Sequence, residues 1–406
     1  MFAALFALAP ATAMAAEPPG AATDVLVRFT GDTLPAERDA ALSDSRTELE
    51  QALPLPGVQL VDPEPGVSVR DAIERLERSD DVLYAEPNLT RSAAATPNDP
   101  YFGSQWGLSK IGMPAAWSRT TGSSALTVGV IDSGVDNGHS DLSPNAARNP
   151  GESGRGREAN GRDDDANGLT DDWRGWDFVQ GDNNPADGNG HGTHVAGTLG
   201  ARGNNSRGVA GAAWSVKIMS LRVLNEHNQG RLSDVVAAYG YAAAKGLPIV
   251  NASLSGPTFS QAEHDAIRAA SRTLFVVGAG NDGRDNDAAG SYPCNHPLPN
   301  VICVTASDRN DGLPGFASHG RRSVDLAAPG VDIMSTLAGG RWGSMSGTSS
   351  ATPHVAGTAA LIRSRWPNAS DRGGACRAAV ERRQKARLHK QDAHRRPVER
   401  GPRACP

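Results

Sequence analysis

Four cysteines in 406 residues, aromatics at 5% and no uninterrupted run of eighteen apolar residues set the first limits on this chain. Without such a run no membrane-spanning helix is expected. Cys294, Cys303, Cys376 and Cys405 include no C-x-x-C pair, which excludes a zinc ribbon or a thioredoxin-type motif. In an exported chain Cys294 and Cys303 could close a short disulfide loop; the alternative is a pair of buried thiols. Charge is unevenly spread. The net charge is −5, and residues 371–406 hold eleven Lys/Arg against four Asp/Glu, so the rest of the chain carries −12. An acidic body of this kind does not suit nucleic acid, whose phosphates need a basic face.

Glycine, in contrast, is abundant at 46 residues, and the hydrophobic share is 38%. Tight turns and small-residue helix contacts fit that composition, and a coiled coil does not. The length suits one large catalytic domain with attachments. Phe2 to Pro10 is a short apolar run followed by Ala13-Met14-Ala15, a small-x-small pattern, so residues 1–16 read as a signal peptide of a secreted protein. No Lys or Arg precedes Arg28, so the usual basic flank is missing and the true start could lie upstream.

Residues 17–95 have a pattern of their own. Asp24–Phe29, Gly57–Val61 and Asp81–Ala85 alternate like strands, while Pro35–Leu53 and Val67–Arg78 have helical character. Two helices among short strands predict a compact α+β module of the split-βαβ kind. The stretch from Arg91 to Pro100 is small, polar and proline-bearing, as a linker and cleavage site would be.

From 96 to 370 apolar runs alternate with helical stretches. Leu126–Ile131, Val216–Val223, Pro248–Asn251, Thr273–Val277 and Val301–Ala306 predict buried strands. Ser233–Ala244, Ser260–Arg272 and Ser349–Arg363 predict helices. This alternation specifies an α/β domain with a parallel sheet covered on both faces, its functional groups at the carboxyl ends of the strands.

Three stretches carry chemistry. Thr127-Val-Gly-Val-Ile-Asp-Ser-Gly134 is a strand ending in a carboxylate, and Asn189-Gly-His-Gly-Thr-His-Val-Ala-Gly197 opens a helix with a histidine. In Gly347-Thr-Ser-Ser-Ala-Thr-Pro-His-Val-Ala-Gly357 a serine stands at the mouth of another helix. A serine hydroxyl becomes a nucleophile at neutral pH only when a base takes its proton, and the base needs an acceptor on its far nitrogen. Asp132, His191 and Ser349 supply those roles in that order.

The three stretches resemble the signature motifs of the subtilisin family of serine proteases, over roughly residues 97–370, and the order Asp, His, Ser is that family's. The resemblance implies a subtilisin-like parallel sheet with helices on both faces, preceded by the small α+β propeptide. It assigns nucleophile, base and orienting acid to Ser349, His191 and Asp132, and reads His194 and His354 as structural. Ser350 stands where relatives commonly carry methionine. Gly278-Ala-Gly-Asn-Asp-Gly283 resembles the oxyanion segment, which gives Asn281 the oxyanion role. Ser253, Leu254 and Ser255 would form one wall of the substrate pocket, Gly278 and Gly280 the other, and Ser291 its base. No acid falls at these matched positions, so apolar or aromatic side chains are expected before the scissile bond. Backbone pairing with an extended peptide tolerates many sequences, so protein or peptide substrates of broad sequence are implied.

Calcium is the implied cofactor. Asp99, Asp141 and Asn205 match ligands of the family's tight site, three oxygen donors from distant segments. Asp163, Asp165 and Asn167, followed by Gly168, reproduce the first half of an EF-hand-type loop, but Arg174 stands where the twelfth-position glutamate would be. The other reading of that loop is a solvated acidic surface. His191 and His194 form an H-x-x-H pair without the glutamate a zinc protease needs.

The expectation is therefore a secreted, monomeric endopeptidase made as a zymogen: signal peptide 1–16, inhibitory propeptide 17–95, peptidase domain 96–370. The propeptide would occupy the active site with its C-terminal end. The competing reading is a catalytically inactive, calcium-binding homologue that acts as a binding protein. Residues 371–406 abandon the pattern, with Val380, Leu388 and Val398 their only large aliphatics, too few to offset ordering entropy. They read as a disordered basic tail or the product of a reading-frame shift near residue 370.

Overall fold

The computed structural model describes residues 22–89 and 96–367. The expected signal peptide, the first half of the linker and the basic tail lie outside the described residues. The chain divides into two units between residues 93 and 94.

The first unit runs β1 (Val25–Phe29), α1 (Pro35–Ser45), β2 (Thr47–Ala52), β3 (Val58–Pro63), α2 (Val69–Leu76) and β4 (Val82–Pro87). Its antiparallel sheet has the order β2-β3-β1-β4, the split-βαβ arrangement. Val25, Val27 and Phe29 point from β1 into a core closed by Leu42 of α1 and Ala72 and Leu76 of α2. One expectation fails here, because the helix over Pro35–Leu53 stops at Ser45. Ser45 Oγ turns back to the Ala41 carbonyl at 2.8 Å, and Arg46 adopts a left-handed conformation, φ 57°. Thr47-Glu-Leu-Glu-Gln then pairs with β3 as an exposed edge strand. Its Glu, Leu and Gln favour a helix in isolation, and cross-strand pairing overrides that preference.

The second unit opens with two short helices, α3 (Trp106–Lys110) and α4 (Met113–Trp117). Then follow β5 (Thr127–Asp132), β6 (Gly175–Asp177), α5 (His191–Gly200), β7 (Lys217–Arg222), α6 (Leu232–Ala244), β8 (Ile249–Ala252), α7 (Gln261–Ala269), β9 (Leu274–Gly278) and β10 (Val301–Ser307). The described chain ends with β11 (Leu326–Pro329), the hairpin β12 (Ile333–Leu337) and β13 (Arg341–Met345), and α8 (Thr348–Arg365). Seven strands pair in parallel in the order β11-β10-β9-β8-β5-β7-β6.

Burial on both faces explains why these strands are unbroken apolar runs rather than alternating ones. Val128, Val130 and Val276 face α5 and α8, against Val195, Leu199, Val355 and Ala359. Ile131, Leu221, Phe275 and Val277 face α6 and α7, against Val235, Tyr239 and Ile267. Cys294 and Cys303 form a disulfide on this second side, with Cα atoms 5.0 Å apart. Among the described residues no helix is long and apolar enough to cross a membrane.

Candidate functional site

Asp132 is the last residue of β5 and has no exposed surface. His191 is the first residue of α5, so the carboxyl end of β5 faces the start of a helix. His191 Nδ1 donates to Asp132 Oδ1 at 2.6 Å, and the Ser133 backbone N–H donates to the same oxygen at 2.7 Å. The approach depends on Gly192. A Cβ there would stand 2.1 Å from the Gly134 carbonyl oxygen and 3.1 Å from Asp132 Cβ. With Nδ1 donating, the neutral imidazole keeps a lone pair on Nε2, and the side chain retains 17% exposure. Burial disfavours the imidazolium, yet the charge and hydrogen bond of Asp132, with the charge of Asp187, outweigh it and hold His191 above the ordinary histidine value.

Asp187 carries no motif signal and was not foreseen. It caps α5, taking the N–H groups of Gly190 at 2.7 Å and Thr193 at 2.8 Å. Ser133 Oγ bridges the same network, accepting from Gly192 N at 2.9 Å and donating to Asp187 at 2.8 Å. A carboxylate at a helix N-terminus is favourable with the helix dipole. Here it also fixes the residue beside His191.

Ser349 is the second residue of α8, and its Oγ donates to the Ser253 carbonyl at 3.2 Å. Among the described residues its hydroxyl is therefore engaged with Ser253 and not with His191. Asn281 follows β9, and its Oδ1 accepts the Thr348 N–H at 2.8 Å. A backbone N–H can only donate, so this bond fixes the side-chain amide and leaves its NH2 group as a donor beside Ser349.

Ser253, Leu254, Gly278, Asn281 and Ser349 line one open groove of about 680 Å³. Gly280 has φ 109°, and a Cβ there would lie 3.5 Å from both Ser255 Oγ and Ser291 Oγ. Ser253, Leu254, Ser255 and Gly278 thus line the groove, and Gly280 and Ser291 adjoin it at Ser255. Gly256 and Tyr292 exchange two backbone hydrogen bonds of 2.8 Å and hold the walls together. Further along, Leu224, Leu232, Val235 and Glu263 also line the groove. Glu263 was missed, since no motif marks it; it is buried and pairs with His296 at 3.0 Å.

His194 and His354 take no part. Burial lowers both to about 4, and they donate to the carbonyls of Ile333 at 2.7 Å and Ser350 at 3.0 Å. They sit neutral in the core.

The structure also gathers the first set of oxygen ligands. Asp99 and Asp141 are buried. Asn205 Nδ2 donates to Asp141 Oδ1 at 3.1 Å, and Asp99 accepts from Asn204 N at 2.6 Å. Burial chiefly, with the Asp141 charge adding to it, pushes the Asp99 carboxyl up against its backbone hydrogen bonds. In the acidic loop, Asp163 Oδ2 accepts Gly168 N at 2.7 Å, and Asn167 gives its NH2 to Asp172 at 2.9 Å. Asp163 and Asp165 are joined there by Glu152.

A family profile described as "Subtilase family" matches residues 123–394, past the 370 boundary drawn from composition. A second, "Fervidolysin N-terminal prodomain", matches residues 21–88. The thermophilic serine proteinase of Bacillus sp. (strain AK1) is 38% identical over 305 residues, 74% of this chain and 68% of its own. Thermitase of Thermoactinomyces vulgaris is 38% identical over 289 residues, 70% and 90% of the two chains. The crystal structure of a cold adapted subtilisin-like serine proteinase, 32% identical, covers 64% of this chain and 81% of its own with a TM-score of 0.51.

Proposed function

The chain belongs to the subtilase family and is a serine endopeptidase, and from that premise we propose that it is an exported zymogen cleaving proteins through an acyl-enzyme on Ser349. The observation that carries this reading is the His191–Asp132 contact of 2.6 Å, which leaves Nε2 as the basic nitrogen that would take the Ser349 proton. Ser349 Oγ attacks the scissile carbonyl as His191 takes its proton, and Asp132 holds the imidazole in the required tautomer and stabilises its charged form. Negative charge develops on the carbonyl oxygen, and the Asn281 NH2 with the Ser349 N–H receives it. His191 returns the proton to the leaving amine, and water then resolves the ester by the same route.

Hydrogen bonds of catalytic groups often form only with substrate present, which accommodates the Ser349–Ser253 bond of the free enzyme. The groove beside Ser253–Ser255, Gly278–Gly280 and Ser291 takes the substrate side chain before the scissile bond. Its small neutral rim favours an apolar or aromatic group. Asp99, Asp141 and Asn205 would hold a structural calcium: the donors are hard oxygens from three segments, and two buried carboxylates there gain from a cation. The unit at 17–95, whose residues 21–88 resemble a prodomain, serves as the intramolecular inhibitor. A fluorophosphonate probe tests the reading. It should label the mature protein once, at Ser349; labelling absent from the parent would favour the inactive binding homologue instead, and labelling retained by Ser349→Ala would place the nucleophile elsewhere.

A further inference from the structure

The acidic loop lacks a glutamate at its twelfth position, and the fold brings one from before the loop. Glu152 lies eleven residues upstream of Asp163 and has no exposed surface. One oxygen each of Glu152, Asp163 and Asp165 lie within 4.8 Å of one another. Gly151 permits the approach, since a Cβ there would stand 2.4 Å from Asp165 Cβ. Asn149 secures it, with its NH2 shared between Asp165 Oδ2 at 2.8 Å and Asp172 Oδ1 at 2.5 Å.

The glutamate is aimed and incompletely satisfied. Its Oε1 accepts the N–H groups of Asp164 at 2.6 Å and Asp165 at 3.0 Å, which fixes the carboxylate plane over the loop. Its Oε2 is buried without a hydrogen-bond partner, and so is Asp165 Oδ1. A buried carboxylate oxygen with no donor has given up hydration for nothing, and natural structures rarely leave one so. Lys245 does not resolve this. Its ammonium contacts Asp165 Oδ2 and stands 3.5 Å from Asp172 Oδ2, so it serves the opposite oxygen of Asp165.

We infer that Glu152, Asp163 and Asp165 form a calcium site in which Glu152 replaces the missing glutamate of the loop. The three donors are hard carboxylate oxygens, the set that selects calcium or magnesium over softer metals. Their oxygens lie within 4.8 Å of one another, so a small side-chain adjustment would set all three about one ion at about 2.4 Å, the calcium distance. The bound ion would staple the 149–152 turn to the loop leading into β6. The site stands apart from the catalytic reading, because it needs neither Ser349 nor His191.

Calorimetric titration of calcium into the chelator-stripped full chain carrying Ser349→Ala, which prevents autolysis, decides it. Glu152→Gln should bind one calcium fewer per chain than this parent. An unchanged number of ions in Glu152→Gln overturns the site. Because a change at a buried residue could disturb folding, Asp163→Asn, at a half-buried position, is the second variant and should weaken the same binding event at least tenfold. Unaltered affinity in Asp163→Asn also overturns the proposal. Asp141→Asn should keep this ion, and its disappearance there would show that the calcium belongs to the other cluster and refute the assignment.

Discussion

Ser253 and Ser349 hold each other by crossed hydrogen bonds: Ser253 Oγ donates to the Ser349 carbonyl at 3.1 Å, and Ser349 Oγ donates to the Ser253 carbonyl at 3.2 Å. Pro353 explains half of the exchange. Four residues on from Ser349 within α8, it has no N–H for that carbonyl, so the first turn would leave an unpaired acceptor. Asn251 Nδ2 completes the arrangement by donating to Ser253 Oγ at 2.9 Å. Ser253→Ala should therefore lower stability by about 1 kcal/mol, the cost of losing the donor to a part-buried acceptor. Differential scanning calorimetry would show this as a melting temperature lower by several degrees, and an unmoved transition would mean the crossed pair adds nothing.

Asn281 offers a sharper functional test. Its oxygen is occupied by the Thr348 N–H, so only the NH2 group is available to a developing oxyanion. Asn281→Ala should lower kcat by roughly 10²–10³ with KM little changed, the range established for one oxyanion donor in subtilisin, a member of the same family. Steady-state kinetics on a peptide anilide measure it. A loss below about fivefold removes Asn281 from the role.

Much of this was legible in the sequence because the informative signals are local. Strands buried on both faces announce themselves as apolar runs, so β5, β7, β8, β9 and β10 fall within a residue or two of their expected places. Ser260 accepts the Glu263 N–H at 3.2 Å and starts α7 where a helix was expected. The edge strand Thr47–Ala52 was lost because its partner, β3, lies across a turn and its composition suits a helix. Asp187, Glu263 and Glu152 escaped for a different reason. Each acts through a group distant in sequence or in the fold (Ser133, His296 and Asp165 among them), and a lone acid has no spacing that declares such a partner.

The placement of Asp187 predicts a pH effect. Its negative charge helps to raise His191, and catalysis needs the neutral imidazole, so activity is lost as pH falls through the His191 pKa. Asp187→Asn removes the charge, lowers that pKa and should move the acid limb of kcat/KM towards lower pH. The variant also puts an NH2 group towards the Thr193 N–H, so some stability is lost. A role confined to helix capping would reduce stability and leave the limb in place, and that result would count against the electrostatic coupling.

Processing tests the zymogen reading. Expressed alone in a protease-deficient host, Ser349→Ala should accumulate with residues 17–95 still covalently attached, because the nucleophile proposed to release them is gone. Mass spectrometry of the purified product reads this directly. Normal release in the variant would mean that another protease matures the chain.

Calcium in the first cluster should appear as stability. Asp99, Asp141 and Asn205 come from segments far apart in sequence, so an ion shared among them binds the folded chain and not the unfolded one. Such an ion stabilises by about 2.7 kcal/mol at a free concentration one hundred times its Kd. Chelation should then lower the melting temperature by several degrees. Asp141→Asn should show a smaller drop than the parent, because one ion is already gone. Its melting temperature in calcium will also be reduced, since Asp141 accepts from Val209 N at 3.0 Å and Trp342 Nε1 at 2.8 Å, and an amide cannot keep every one of its contacts. The decisive quantity is therefore the difference between melting with and without chelator within each variant, which cancels those lost contacts. Combining Asp141→Asn with Glu152→Gln should bring that difference to zero. A chelator effect as large in Asp141→Asn as in the parent would remove Asp141 from calcium binding, whatever its absolute stability.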